Sequence, residues 1–365
     1  MASSPISAAP PSDPQGGVDR RSFVRRGVVG GATVALPGWL LAACGDSKES
    51  TTAATTGGKA KAVAIKATHG TGLCNLGIFL EKEKGLGGDA VDLKFVTTPT
   101  NADIATLFGA GQVDASLIPY SNFMTLYDNG APVRIVAGGG VQGCVVCAQP
   151  GIADAQGLKG KTLGTFQADT LEMLALDYLR KNGMTFKDVD VKYFGTSPEL
   201  AAAFSAGKID AISHIEPYAT QALRAVKGST KLTDGKDVYF PGYTDCVLAV
   251  RQPLIEKEPA AVKALITGLM KAQAMAEADR PAAAKLTTGT YYKADYEDVL
   301  DASMKQPNVV DQRGNSKFIL ERAQNLKELG YIKKLPTEEI FDYSLLEQVI
   351  SDEPELYKSL KLKYS

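Results

Sequence analysis

From residue 63 onward, short apolar runs alternate with amphipathic runs, and polar loops separate them. The apolar run at 63–65 is followed by a glycine-containing loop and an amphipathic segment that ends at Gly85, which predicts a strand, an open loop and a helix. Open α/β sheets bind ligands at the carboxyl ends of their strands. We therefore expect the polar loop at 68–75 to form half of a small-molecule site.

The same alternation continues to residue 250 and predicts two series of strand and helix units. After residue 253 the pattern is helical throughout, and consecutive helices without strands between them are expected to pack back on the first unit. The further predicted strands are 91–96, 113–118, 132–137, 143–148, 162–166, 189–194 and 245–250, and the predicted helices are 76–85, 102–109, 171–181, 198–205, 259–278, 280–288, 296–304, 316–329 and 341–351.

The N-terminal sixty residues carry the features of an export signal. A twin-arginine pair at 20–21 precedes an apolar run at 27–41 that is too short and glycine-rich to span a bilayer. The run ends in Leu-Ala-Ala-Cys44, which resembles the lipobox of bacterial lipoproteins. We predict a twin-arginine signal peptide at 1–43, a lipid anchor (palmitate) on Cys44 that holds the exported protein at the outer face of the cytoplasmic membrane, and a flexible tether at 44–61.

Composition narrows the class of function. Lys and Arg number 40 and Asp and Glu number 41, so no strongly basic surface is available to bind nucleic acid. No Gly-x-Ser-x-Gly elbow is present, and only two histidines, His69 and His214, could serve as a catalytic base. We therefore expect a binding protein without enzymatic activity and without a cofactor.

Four cysteines follow the lipobox: Cys74 in the first loop, Cys144 and Cys147 in one predicted strand, and Cys246 in another. Residues three apart on a strand point to opposite faces, so Cys144 and Cys147 should not pair with each other. Three arrangements stay open: free thiols packed in the interior, a disulfide from one of these two to Cys246, and a soft-metal site that combines cysteines with the two histidines.

Several motifs in one order resemble the type II periplasmic-binding-protein fold. The branch concerned holds the nitrate, aliphatic sulfonate, taurine and thiamine-pyrimidine-precursor binding proteins of ABC importers. The motifs are the helix at 76–85, the Gly-x-hydrophobic-Asp-Ala units at 111–115 and 207–211, the Gly-Leu-Lys-Gly-Lys-Thr-Leu-Gly run at 157–164, and the pair Glu216-Pro217.

The resemblance implies an α/β fold of two doubly wound lobes with a helical tail packed on the first lobe. Lobe I would comprise 62–148 and 246–365 and lobe II 149–245, joined by crossing strands at 143–148 and 246–250. It also implies a monomeric receptor outside the cytoplasm that closes on a small organic solute and delivers it to an ABC permease and its ATPase. The alternatives are a metal or metal-complex binding protein and a relative of the pyrimidine-precursor synthase, against which the export signal argues.

The implied site comprises loop ends from both lobes. Thr165, Gln167 and Thr170 precede the helix predicted at 171–181, where hydroxyl and N–H groups suit either an oxyanion or ordinary helix capping. The solute would be either a small heterocycle, on which Tyr120 and Tyr218 would stack, or a sulfonate-like molecule. Phe166 is expected in the core. The candidate ligand-binding residues are Thr68, His69, Cys74, Asn75, Ser116 and Tyr120 from the first lobe, and Thr165, Gln167, Thr170, His214, Glu216, Tyr218 and Asp245 from the second.

Overall fold

The computed structural model describes residues 62–98 and 101–365. The predicted signal peptide at 1–43, the tether at 44–61 and the anchor residue Cys44 lie outside these residues. The described chain has the predicted α/β fold, with its strands in two separate mixed sheets. The strands are β1 (Val63–His69), β2 (Val91–Phe95), β3 (Ala115–Pro119), β4 (Val133–Gly138), β5 (Cys144–Ala148), β6 (Thr162–Thr165), β7 (Asp190–Tyr193), β8 (Ala211–Ile215), β9 (Thr230–Thr233) and β10 (Cys246–Arg251).

The two sheets share one layout. The first has the order β2-β1-β3-β10-β4 and the second the order β7-β6-β8-β5-β9. In each, three strands are parallel, and one antiparallel strand, β10 or β5, joins them to the edge strand. This arrangement is the bilobed type II fold that the motifs indicated.

One strand belongs to a different sheet from the one expected. We expected 143–148 to end the first lobe, but β5 is hydrogen-bonded between β8 and β9 in the second sheet. The chain therefore crosses between the sheets at 139–143, before β5, and returns at 234–245, before β10. These two crossing segments meet at an isolated antiparallel bridge between Val141 and Thr244.

The helices begin and end close to the predicted residues. Gly85 ends α1 in the left-handed conformation with φ of 57°, which glycine adopts without strain. The α3 helix was missed because Pro119 ends a buried strand and starts the helix without an intervening polar loop. The helices are α1 (Leu76–Lys84), α2 (Asn101–Gly109), α3 (Tyr120–Asp128), α4 (Thr170–Lys181), α5 (Ser197–Ser205), α6 (Tyr218–Ala225), α7 (Gln252–Lys257), α8 (Pro259–Ala278), α9 (Arg280–Thr287), α10 (Tyr296–Lys305), α11 (Ser316–Glu328), α12 (Ser344–Asp352) and α13 (Pro354–Ser359).

The helical tail packs mainly on the first lobe, as expected, where α8 lies against α1 and α12 against β4. It also reaches the second lobe, because α10 contacts α6 and α11 contacts α4. Within the described residues, no helix is long and apolar enough to cross a membrane.

Candidate functional site

A narrow cleft separates the two lobes where the strands of both sheets end. Its volume is about 40 Å³, which leaves room for little more than a water molecule or two. The lining residues are Gly70, Thr71, Gly72, Cys74, Asn75, Ile104, Leu117, Pro119 and Asn122 from the first lobe, and Phe166, Asp169, Leu171, Ser197, Ile215 and Asp245 from the second lobe and the returning chain.

Direct contacts hold the lobes together across this cleft. The backbone N–H of Leu73 donates to the carbonyl of Glu216 at 2.8 Å, and the Asn122 side chain donates to the carbonyl of Ala168 at 3.0 Å. At Gly72, an added Cβ would lie only 2.8 Å from Cγ1 of Ile215. The structure is therefore a closed state, in which the two lobes are in direct contact.

Asp245 is the most buried carboxyl group at the cleft, with 1% of its surface exposed. Thr170 donates to Oδ1 at 2.6 Å and the Gln306 amide donates to Oδ2 at 2.9 Å. The thiols of Cys144 and Cys246 lie 3.4 and 3.3 Å from its two oxygens. All of these partners are uncharged, and burial raises the pKa of Asp245.

Asp169 is a second buried carboxyl group at the cleft. It caps α4, where its Oδ1 accepts the N–H of Leu171 at 3.1 Å. Burial raises the pKa of Asp169 to about 7, with Asp245 adding to the effect. The helix N-terminus therefore already holds a carboxyl group of the protein itself, and Thr165 and Gln167 do not cap it. This arrangement disfavours the oxyanion site considered from the sequence.

No lysine or arginine is among the described residues that line the cleft. The two buried carboxyl groups of Asp169 and Asp245 therefore face the cleft without a compensating positive charge. The buried Oδ1 of Asn75, which lines the cleft, also has no hydrogen-bond partner within the described structure. Because such atoms are costly to leave unpaired, the cleft favours a ligand that brings positive charge or N–H donors.

The four described cysteines are free thiols, so the described structure contains no disulfide across the crossing segments. The ligating atoms of Cys74, Cys246 and Asp245 lie within 4.8 Å of one another. Cys144 contacts the other oxygen of Asp245, and Cys147 does not join the group. Of the three arrangements left open, the structure therefore shows free thiols, some of which surround a carboxyl group.

The two histidines lie away from the cysteines. His69 packs edge-on against Phe79 and Phe95, with ring centroids 4.8 and 4.7 Å apart, and does not line the cleft. The fully buried His214 stacks on Tyr218 and donates from Nε2 to the carbonyl of Ser197 at 2.9 Å. The structure therefore contradicts a metal site that combines the histidines with the cysteines.

The pKa of His214 predicts acid sensitivity. Burial lowers this pKa from 6.5 to about 4, so the folded protein favours neutral imidazole. The stabilisation is present above pH 6.5 and is lost as the pH falls toward 4, to a total of about 3 kcal/mol. Urea unfolding at pH 7 and at pH 4.5 should show a smaller loss of stability in His214→Gln than in the wild type. An equal loss in both proteins would contradict this role.

Among the candidate residues, Cys74, Asn75 and Asp245 line the cleft. Thr170 does not line it but donates a hydrogen bond to Asp245. Phe166 belongs to the buried core, as expected, and also lines the cleft, whereas Tyr120 packs edge-on against Phe318 in the core. The remaining candidates do not reach the cleft surface: Thr68, Ser116, Thr165, Glu216 and Tyr218 are buried, and Gln167 is exposed to solvent.

The cleft residues outside the candidate list include Asp169, Asn122, Ser197 and Ile215, although Asp169 and Ile215 belong to the loop ends expected at the site, 165–170 and 213–218. Asp169 carried a usable signal, because aspartate is a preferred N-cap and stands two residues before the predicted helix start. Asn122 belongs to the missed helix α3. Nothing local in the sequence marks Ser197.

Comparison with known proteins identifies the family of this chain. The family described as "NMT1/THI5 like" matches residues 75–284, more than half of the chain. The chain belongs to the NMT1/THI5-like family. The matched residues of this NMT1/THI5-like protein contain the whole second sheet and most of the described cleft. A protein of Brucella abortus (strain 2308), named as a binding protein, is 28% identical over 199 residues, which are 53% of this chain and 60% of the relative.

Solved structures share the fold of this NMT1/THI5-like protein at low identity. A zinc-bound ligand-binding component of an ABC-type import system from Staphylococcus aureus has a TM-score of 0.69 at 17% identity, covering 78% of this chain and 98% of that one. The periplasmic aliphatic sulphonate binding protein SsuA from Escherichia coli has a TM-score of 0.63 at 20% identity, covering 77% and 91%. The desulfurization enzyme DSZB also shares the fold, with a TM-score of 0.59 at 14% identity, covering 80% and 99%. The fold alone therefore does not separate binding proteins from enzymes.

Proposed function

We propose that this NMT1/THI5-like protein is a solute-binding receptor that captures a small molecule between its two lobes and delivers it to an ABC permease and its ATPase. The observation that carries the proposal is the closed cleft, which draws its walls from both lobes and is bridged by hydrogen bonds such as Leu73 to Glu216. A site built from two lobes is complete only when they close, so solute binding shifts the protein toward the closed state.

The proposed solute is a small nitrogen heterocycle with N–H donors, cationic or able to become so, rather than a sulfonate-like anion. Asp169 and Asp245 would repel an anion in their ionised forms, and no lysine or arginine lines the described cleft to offset them. The unpartnered Oδ1 of Asn75 would accept an N–H, and Phe166 offers an apolar wall for a flat ring. Because the closed cleft is narrow, the side chains that line it must shift to admit such a ring.

We further propose that the protein acts outside the cytoplasm as a lipid-anchored monomer, with Cys44 as the anchored residue and no nucleic acid among its partners. The twin-arginine pair and the lipobox in the sequence support this location. They also argue against the pyrimidine-precursor synthase alternative, since that relative works in the cytosol. The cleft is occupied by carboxyl, amide and thiol groups that hydrogen-bond to one another, which fits binding better than catalysis.

A thermal-shift screen of the purified, reduced protein tests the proposed function. The panel contains aminopyrimidines, imidazoles, amidines, alkanesulfonates and nitrate, each with and without a metal chelator. A solute at about 100 times its Kd should stabilise the protein by about 2.7 kcal/mol, a shift of several degrees. The proposal predicts shifts from nitrogen bases that the chelator does not change. Shifts confined to sulfonates or nitrate would contradict the proposed solute class, and no shift across the panel would contradict the proposal.

A further inference from the structure

We propose that Cys74, Cys246 and Asp245 form a binding site for one thiophilic metal ion, such as Zn²⁺, at the wall of the cleft. The site goes beyond the proposed receptor function, because it would exist whichever organic solute the protein carries. The two sulfur atoms and a carboxylate oxygen lie within 4.8 Å of one another, and all three residues are buried.

These distances fit a metal with little movement of the ligands. Zn²⁺ binds thiolate sulfur at about 2.3 Å and carboxylate oxygen at about 2.0–2.2 Å, so ligand atoms around a tetrahedral ion lie about 3.5–3.8 Å apart. The sulfur of Cys246 is already 3.3 Å from Oδ2 of Asp245. Closing the remaining separations requires displacements of about 1 Å or less, which side-chain rotation can supply.

The backbone around Gly140 brings the three ligands together. The N–H groups of Asp245 and Cys246 both donate to the carbonyl of Gly140, at 3.1 and 3.0 Å. On its other side Gly140 packs so closely against Cys74 that an added Cβ would lie 2.4 Å from the Cys74 Cβ. Gly140 thus holds the segment at 245–246 and the loop that contains Cys74 at the spacing that the site needs.

Neighbouring groups would support the ligands in their charged forms. The Asn75 amide donates to the Cys74 sulfur at 3.3 Å, and Gln306 and Thr170 donate to the two oxygens of Asp245. Such donors orient metal ligands and stabilise their negative charge. No lysine or arginine forms an ion pair with Asp245 in the described chain, so the ion would supply the missing positive charge.

Three protein ligands leave a fourth coordination position. Cys74 and Asp245 also line the cleft, so an ion between them and Cys246 would lie at the cleft wall. Zinc sites with three protein ligands keep their fourth position for water or a bound molecule. A water molecule in the cleft would take this position.

Cobalt spectroscopy tests the site on the full-length protein. After reduction with a phosphine, which does not itself bind as a thiol, the protein is titrated with Co²⁺ and then with Zn²⁺. The proposal predicts thiolate-to-cobalt charge-transfer absorption and visible bands of tetrahedral Co²⁺, saturating at one ion per chain and displaced by Zn²⁺. Cys74→Ser and Cys246→Ser should each weaken Zn²⁺ binding by about a hundredfold or more.

Cys147→Ser is the matched control, because Cys147 is also a buried free thiol but lies outside the group. It should leave metal binding unchanged. A second measurement needs no variant: bound Zn²⁺ should protect Cys74 and Cys246, but not Cys147, from alkylation in partly unfolded wild-type protein, read by peptide mass spectrometry. Absence of cobalt bands in reduced wild-type protein, or equal binding by the Cys74→Ser and Cys147→Ser variants, would overturn the proposal.

The result of this metal-binding test can be distinguished from the result of the test of the receptor function. Thermal shifts by nitrogen bases in the presence of a chelator would survive the loss of the metal site. Conversely, metal binding without any solute shift would leave the site in place and contradict the proposed receptor.

Discussion

Replacing Asp169 with asparagine is expected to weaken the binding of a cationic nitrogen heterocycle about a hundredfold or more at pH 8. Asp169 is 4% exposed, lines the cleft and has no lysine or arginine beside it among the described cleft residues. A charge pair buried between solute and protein contributes about 2–5 kcal/mol when one partner is removed, which corresponds to this loss. Calorimetric titration of both proteins with the solute that gives the largest thermal shift measures the effect.

The same substitution should change how stability depends on pH. The pKa of Asp169 rises from 3.8 to about 7 on folding, mainly through burial, so the folded state favours the protonated carboxyl group. The stabilisation is complete below pH 3.8 and is lost as the pH rises through 7. The asparagine side chain does not titrate, so Asp169→Asn should lose less stability than the wild type between pH 5 and pH 8.

Asp279→Asn is the matched control for Asp169→Asn. Asp279 also caps a helix, accepting the N–H of Ala282 at 3.0 Å, but it is exposed and lies outside the cleft. This substitution makes the same chemical change at a similar cap and should leave solute affinity unchanged. Solute binding by Asp169→Asn at wild-type affinity would contradict the assignment of Asp169 to the site.

Replacing Gly72 with valine should prevent full closure and weaken solute binding by roughly tenfold to a hundredfold. The backbone of Gly72, with φ of −76° and ψ of 158°, accommodates any residue, so the substitution introduces no backbone strain. A side chain there instead meets Ile215 in the opposite lobe at 2.8 Å. Overpacking of this kind costs about 1–3 kcal/mol, and the protein avoids the cost by staying open.

Small-angle scattering with saturating solute should show a larger radius of gyration for Gly72→Val than for the wild type. The melting temperature without solute should change little, because each lobe keeps its own core. Adding Ile215→Ala removes the opposing side chain and should restore closure. If Gly72→Val closed as fully as the wild type, the contact between Gly72 and Ile215 would not limit the closed state.

The sequence predicted the architecture well because its signals are local. The spacing of the apolar residues marks the strands and helices, and the backbone conformation of Gly85 marks the end of α1. The same pattern could not assign 143–148 to a sheet, because a fully buried strand has the same appearance in either lobe. The hydrogen bonds of β5 with β8 and β9 decide the assignment, and they join segments far apart in the chain.

The site was less predictable because its groups meet through distant contacts. Asp245 receives hydrogen bonds from Thr170 and from Gln306, which stand 75 and 61 residues away in the sequence. No local pattern reveals such partners, whereas Asp169 could have been found as the residue that caps α4. Tyr218 does not reach the cleft, because it is buried inside the second lobe, where its ring stacks on His214.

A crystal structure of the protein with its most stabilising solute tests the central claim most directly. The account predicts a nitrogen base between the lobes, with an N–H within hydrogen-bond distance of Asp169 and the ring against Phe166. The lobes should close around it, with Oδ1 of Asn75 accepting a hydrogen bond from one of its N–H groups. A solute bound outside the cleft, or a sulfonate or nitrate group facing Asp169 and Asp245, would contradict the account.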